Sequence, residues 1–243
     1  QHKQRNLLTY NRGHRYRIMT KKIKEKILGE DGILNYYDYK ISFNRLSNFV
    51  IKYLLCGIFG IRYKIVKGQL SGIDRAEVKK QYVKLPEFAI YSEKSIKLLN
   101  SKISFEPDEN TILFIGQDVL EDVNGKKEYI LELKEILSKI KEHSSENTTL
   151  LYKPHRNGNY NIAVEHIKKT FGTKYKLILN ETPIEELISE IRPKKIFSFF
   201  STALLNIKMG LTNESVEIYF KPTKGTKNKI VQLYEELGIT RIE

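Results

Sequence analysis

The chain has 243 residues, 40% of them hydrophobic and 11% aromatic, too rich in core-forming side chains for disorder and long enough for one large domain or two modest ones. A formal net charge of +13 attracts anions, whether nucleic acid, an acidic membrane surface or phosphorylated and carboxylated small molecules, without choosing among them. A single cysteine, Cys56, excludes an internal disulfide and a cysteine-rich zinc site and reads as a small buried hydrophobe.

The first residues, QHKQRNLLTYNRGHRYRIMTKK, are basic and hold no apolar run of the kind a secretory signal needs. An extended segment, IKEKILGEDG, leads into a turn at Glu30-Asp31-Gly32, and a helical or mixed region follows through Gly60. Its most apolar part, FVIKYLLCGIFGI from Phe49 to Ile61, is interrupted by Lys52 and falls short of the roughly 20 residues that cross a bilayer. It reads first as a buried helix; the alternative is a helix lying on a membrane surface, with Lys52, Arg62, Lys64 and Lys67 facing lipid phosphates. Ser92 to Lys102 reads as a linker helix, and PDEN at 107–110 as a boundary, dividing the chain into 1–106 and 107–243.

From Thr111 onward the pattern is regular. TILFIGQ is a strand, and Ile130, Leu133, Ile136, Leu137 and Ile140 then mark one face of a helix. The cycle repeats as NTTLLYKPH (strand), AVEHIKKTF (helix), YKLILN (strand), IEELISEI (helix), KKIFSFF (strand), TALLNIKMG (helix), VEIYF (strand) and KIVQLYEELG (helix). Such alternation predicts an α/β fold, a parallel sheet with helices on both faces in a Rossmann-like doubly wound domain. Ligands of such sheets bind beyond the carboxyl ends of the strands, where backbone amides and helix N-termini converge. Those ends are Gly116-Gln117, Lys153-Pro154-His155-Arg156, Asn180-Glu181-Thr182-Pro183 and Phe200-Ser201-Thr202.

Each candidate has a plainer reading. His155, among cations at a strand end, is placed to meet a phosphate leaving group, although a lone histidine is more often a packing or surface residue. Ser201 and Thr202 read as a helix cap, and hydroxyls beside free amides at a positive helix end also make an anion site. Glu185 is either a first-turn carboxylate favoured by the helix dipole or a partner for a ribose diol. Glu30-Asp31-Gly32 is either a turn or a turn that presents a general base.

Three of these motifs, E-D-G at 30–32, K-P-H at 153–155 and S-T at 201–202, occur in the order and rough spacing of the three bacterial sialyltransferase motifs. Over about residues 25 to 240 the chain resembles the bacterial sialyltransferases and polysialyltransferases of the GT-B type. Within these it is most similar to the lipooligosaccharide sialyltransferases of glycosyltransferase family 52 and their capsule-making relatives. The resemblance implies a partial N-terminal acceptor domain over 1–106 and a CMP-sugar-binding domain over 107–243. It implies an inverting, metal-independent transfer of sialic acid from CMP-sialic acid, a donor substrate and not a cofactor, to a hydroxyl of a cell-surface glycan.

Glu30 would be the base, in an acidic motif completed by Asp31 and Gly32, and His155 the acid at the CMP phosphate. Ser201 and Thr202 would hold that phosphate, Glu185 the cytidine ribose, and Gly116, Gln117, Lys153, Pro154 and Arg156 the rest of the nucleotide. Arg156 stands where the family motif usually has proline. With Glu30 so near its start, the chain would lack most of the acceptor domain.

The expected setting is the bacterial cytoplasm, with peripheral contact to an anionic membrane and no nucleic-acid partner. The positive charge suits a donor carrying a phosphate and a carboxylate. Two other readings are a GT-B transferase with a different nucleotide-sugar donor and a basic module for nucleic acid or anionic lipid, supported by Lys3, Arg5, Arg12, Arg15, Arg17, Lys21, Lys22 and Lys24.

Overall fold

A computed structural model describes residues 26–30, 32–38, 43–59, 68–69, 71–76, 78–118, 120, 125–224 and 226–243, with residues 26 and 43–49 described by backbone alone. The chain forms two compact units that divide between Leu99 and Asn100.

The first unit carries a three-stranded parallel sheet in the order β1-β2-β3, with β1 at Lys26–Gly29, β2 at Val78–Val83 and β3 at Ser95–Lys97. Strand β2 was not legible in the sequence. Its VKKQYV run sends Val78, Gln81 and Val83 inward and exposes Lys79 and Lys80, which breaks the apolar pattern a central strand normally shows. Gln81, wholly buried, is satisfied by three partners: it accepts from Asn35 Nδ2 at 2.9 Å and donates from Nε2 to the Ile90 carbonyl at 2.6 Å and to Ser95 Oγ at 2.8 Å. That network pins the 3-10 turn Gly32–Asn35 and the segment leading into β3 onto β2. It also explains why the linker helix expected over Ser92–Lys102 is absent. Ser92–Lys94 makes one 3-10 turn and the chain then pairs with β2, where Gln81, Tyr82 and Val83 face Ser95, Ile96 and Lys97.

Helix α1, Phe43–Ile58, is present where the apolar segment falls, but the expectation that it is buried is overturned. Every described side chain from Val50 to Phe59 except Cys56, which is half-buried, is exposed. The small core of this unit is Leu28, Ile73 and Val78 with Tyr91 against them, and no described side chain of α1 belongs to it.

The second unit alternates β4 (Asp108–Ile115), α2 (Lys126–Glu142), β5 (Thr149–Lys153), α3 (Asn161–Phe171), β6 (Tyr175–Leu177), α4 (Ile184–Ile191), β7 (Pro193–Phe199), α5 (Thr202–Gly210), β8 (Glu217–Lys221), α6 (Asn228–Glu236) and β9 (Thr240–Arg241). All six strands are parallel, in the order β6-β5-β4-β7-β8-β9. The chain starts in the middle at β4, winds outward to β6, returns to β7 and winds outward the other way, which is the doubly wound Rossmann order expected from the alternation.

Both faces of the sheet are covered. Ile112 and Phe114 of β4 pack with Leu133, Ile136, Leu137 and Ile140 of α2, while Leu113 and Ile115, pointing to the opposite face, are equally buried. Each such side chain taken out of water contributes about 1.5–3 kcal/mol.

The two units divide a few residues before PDEN, and Asp108 pairs with Pro193 at the start of β4. Its N–H donates to the Arg192 carbonyl at 2.7 Å, and Arg192 Nε donates to the Glu106 carbonyl at 2.7 Å. Asn100–Glu106 also lies with the second unit: Ile103 N–H donates to the Gly210 carbonyl at 2.8 Å and the Ile103 carbonyl accepts from Thr212 N–H at 2.9 Å.

Helix α2 offers an internal control on this packing. Leu133 is fully buried and Leu131, two positions earlier, is 56% exposed. In urea denaturation Leu133→Ala should destabilise the chain by about 2–5 kcal/mol and Leu131→Ala by no more than about 0.5 kcal/mol.

Candidate functional site

The winding reverses between β4 and β7, and in such sheets ligands bind beyond the carboxyl ends of the strands at that switch point. Gly116, just past β4, is required there by space alone: a Cβ would lie 2.6 Å from Tyr152 Oη and 2.9 Å from Asp118 Oδ2. Its N–H donates to the Lys153 carbonyl at 2.8 Å, which carries the β4–β5 pairing beyond the end of β4. On the other side, Ser198 of β7 donates from Oγ to the Ile115 carbonyl at 2.8 Å and is itself buried.

Asp118 is the residue the sequence reading missed. It is 1% exposed. Its Oδ1 accepts from Tyr152 Oη at 2.5 Å and Tyr129 Oη at 3.0 Å, and its Oδ2 accepts from the His155 backbone N–H at 2.9 Å. One carboxylate therefore joins α2, β5 and the loop after β5. Burial first, and the Asp118 charge second, push the Tyr152 phenol well above its ordinary range, so this hydroxyl acts as a donor throughout the accessible pH range. A signal for Asp118 was present, an acid two residues after a strand-end glycine, but the tyrosines that complete it looked like ordinary apolar positions of a strand and a helix.

His155 is half-buried at the end of β5, two residues past Lys153. The Asn157 backbone N–H donates to its Nδ1 at 3.2 Å. With that lone pair engaged, the proton of the neutral ring sits on Nε2, which is then a donor. Burial holds the imidazole pKa below its ordinary value; the nearby Asp118 charge opposes this shift and Arg156 adds to it.

The other residues expected near the nucleotide separate into two groups. Lys153 Nζ is engaged elsewhere: it donates to Asn180 Oδ1 at 2.8 Å and to the Asn180 carbonyl, tying the end of β5 to the segment after β6. Its pKa is lowered by burial. Pro154 ends β5, and Arg156, next to His155, is exposed. Gln117 is half-buried beside Gly116, and its carbonyl accepts from Leu120 N–H at 2.9 Å.

Beyond β7, Ser201 caps α5, its Oγ accepting from Ala203 N–H at 3.3 Å, so the plainer reading holds for it. Ser201 is buried, and its carbonyl accepts from Tyr234 Oη at 2.8 Å; Thr202 opens the helix half-buried. Glu185, in the first turn of α4, is linked to the same helix, its Oε1 accepting from Asn206 Nδ2 at 2.8 Å. Gly116, Asp118, His155 and Ser201 are thus brought to one edge of one sheet, and Glu185 is tied to α5, whose first turn lies at that edge.

Glu30 belongs to the first unit and is described there. It follows β1, and its Oε2 accepts from the Lys84 backbone N–H, just past β2, at 2.7 Å. Its Oε1 is buried and accepts no hydrogen bond among the described residues. Desolvation raises its pKa above the usual carboxylate range; the Lys84 N–H and charge and the Tyr36 hydroxyl, which favour the ionised form, offset this only in part. Tyr36 is buried and its Oη accepts from Leu85 N–H at 3.2 Å. Gly32 opens the following 3-10 turn at φ +61°, a conformation that favours glycine. Asp31 lies outside the described residues. Among the described residues no three His, Cys, Asp or Glu side chains group as a metal site.

No protein-family model matches the chain, and no curated protein does. Among solved structures it is similar to an α/β-galactoside α-2,3-sialyltransferase from the luminous marine bacterium Photobacterium phosphoreum, at 14% identity over 89% of this chain and 70% of that one, with a TM-score of 0.44. It is similar to the GT-B domain of a sialyltransferase from Photobacterium damselae, at 15% identity over 90% of this chain and 70% of that one, with a TM-score of 0.48. A sialyltransferase from Photobacterium damsela is matched at 14% identity over 91% of this chain and 59% of that one, with a TM-score of 0.45.

The Asp118 network makes a prediction about His155. Asp118→Asn places an amide N–H₂ against donors only, which should cost about 1–3 kcal/mol of stability in urea denaturation. It also removes a negative charge that favours the imidazolium, so an NMR titration should place the His155 pKa lower in the variant than in the parent; an unchanged value would refute the coupling.

Proposed function

We propose that the chain is a glycosyltransferase of the GT-B type that moves sialic acid from CMP-sialic acid to a hydroxyl of a cell-surface glycan with inversion at the anomeric carbon. The observation that carries the proposal is His155: its backbone is fixed by Asp118 and its Nδ1 is engaged by Asn157, so Nε2–H remains to act at the strand ends of a Rossmann-like sheet. The motif resemblance implies a sugar-nucleotide phosphate at that position, and a doubly wound strand order, whose switch point commonly takes nucleotides, supports the reading.

In this reading the acceptor oxygen attacks the anomeric carbon as the bond from that carbon to the CMP phosphate oxygen breaks. Glu30 takes the proton of the acceptor hydroxyl. Its environment suits a base, because Oε2 is held by the Lys84 N–H while Oε1 has no donor to give up among the described residues. His155 Nε2–H donates a hydrogen bond to the departing phosphate oxygen and stabilises the charge that develops on it, and the α5 N-terminus with Ser201 and Thr202 offers that phosphate amide and hydroxyl donors. Glu185, oriented by Asn206, accepts from a ribose hydroxyl. The leaving-group charge is met by these groups and not by a metal ion. Lipooligosaccharide or capsule is the acceptor class implied by the resemblance, and the bacterial cytoplasm the setting. A GT-B transferase using a different nucleotide sugar shares every role except recognition of the base.

Calorimetry with CMP, UDP and GDP tests the donor, and tighter binding of UDP or GDP than of CMP would sink the sialyl reading. CMP release from CMP-sialic acid in the presence of galactose- and sialic acid-terminated acceptors tests the chemistry. His155→Ala and Glu30→Gln should each lower kcat by about 10²–10⁴-fold, and full activity in both would remove the proposed roles.

The acid limb of kcat/KM should lie above the usual carboxylate range, because activity falls as pH drops through the raised Glu30 pKa. Tyr36→Phe removes a group that favours ionised Glu30, so the limb should move to still higher pH; a limb that stays put would separate Tyr36 from the base.

A further inference from the structure

The positive charge that the whole sequence seemed to offer a nucleotide belongs to the other unit. Residues 1–99 hold 21 Lys and Arg against 8 Asp and Glu, while residues 100–243 hold 21 of each, so the first unit carries the entire +13 and the Rossmann unit is formally neutral. Within the first unit the imbalance has a centre. Between Asp38 and Asp74 there is no acidic residue, and Lys40, Arg45, Lys52, Arg62, Lys64 and Lys67 fall in that run.

Helix α1 lies in the middle of it. Val50, Ile51, Leu54, Leu55 and Ile58 share one side of this helix at i, i+4 spacing and are 41–77% exposed; Phe59, just past the helix, is 75% exposed. Cys56, the half-buried position, is on the opposite side, and the exposed Lys52 flanks the stripe.

We infer that α1 is an interfacial anchor, which lies in the plane of an anionic bilayer with Ile51, Leu54, Leu55 and Ile58 in the acyl boundary and the basic sequence in which it is set, Lys52 included, attracted to the lipid phosphates. Three observations select this occupant. An apolar patch of several adjacent large side chains is unusual on a soluble surface and marks a contact site. The flanking charge is of one sign, which complements an anionic leaflet and would repel a second copy of the same segment. Lastly, no helix of the described residues is long and apolar enough to cross a membrane, so the arrangement suits lying on the surface and not spanning it. The inference stands apart from the transferase reading, because neither the donor site nor His155 takes part.

The test is sedimentation of the full chain with sucrose-loaded vesicles of phosphatidylcholine alone and of phosphatidylcholine with about one third phosphatidylglycerol. The parent should partition onto the anionic vesicles at least about ten-fold better than onto neutral ones and lose binding as salt is raised. The triple variant Ile51→Gln, Leu55→Gln, Ile58→Gln should lose at least about ten-fold in partition with an unchanged thermal midpoint and unchanged CMP affinity, since the replaced side chains are already exposed. Equal binding of parent and variant, equal binding to neutral and anionic vesicles, or no binding at all would overturn the anchor. So would a parent that is dimeric in solution and made monomeric by the triple variant, or one that binds duplex DNA while ignoring vesicles.

Discussion

The buried carboxylate of Asp118 is the constraint on which the second unit's strand-end site depends. A carboxylate that is 1% exposed has to be met by donors, and here they come from α2, β5 and the turn that carries His155. Three segments that are separate in the sequence are thereby held to one point at the strand ends, where the winding of the sheet reverses. Gly116 follows from the same constraint, because Tyr152 can reach Asp118 only if nothing projects from position 116. The imidazole then inherits its position from the backbone and from the Asn157 N–H on its Nδ1, and among the described residues its Nε2 makes no hydrogen bond.

The first unit uses a similar device with a different outcome. Glu30 also sits past the end of a parallel strand and is also held by a backbone N–H, yet among the described residues one of its oxygens accepts no hydrogen bond. Asp118 is fully paired and structural; Glu30 is half paired, and its proton affinity is raised by the desolvation that pairing would have offset. Two carboxylates at strand ends thus differ in the number of donors around them.

Most of the second unit was legible because its signals are local. Its buried strands are apolar runs, and the inward stripe of α2 recurs at helical spacing, so α4 and α5 were read to the residue. The strand ends followed from topology, and with them His155, Ser201 and Glu185. What failed was information that only tertiary contacts hold. Asp118 acquires meaning from Tyr129 and Tyr152, distant in sequence. Strand β2 hides behind Lys79 and Lys80 because its interior position is filled by Gln81, a polar residue that a hydrophobicity pattern rejects and three hydrogen-bond partners accept. Ser92–Lys102 looked helical by composition but was captured by an edge of the same sheet. Burial of α1 was assumed from apolarity, and apolarity does not say which phase will receive it.

Helix α5 joins two features that have been described separately. Its first turn is the capped end at Ser201, and its last residue, Gly210, touches the segment through which the chain passes into the second unit: a Cβ there would lie 2.8 Å from both the Ser101 carbonyl and Ile103 Cδ1. Nine residues make a rod about 13 Å long, too short to bend appreciably between its ends. A displacement of the cap is therefore a displacement of Gly210, and with no slack at that end the Ser101–Ile103 backbone has to follow. Whatever settles against the start of α5 is mechanically in register with the Ser101–Ile103 segment of the same unit.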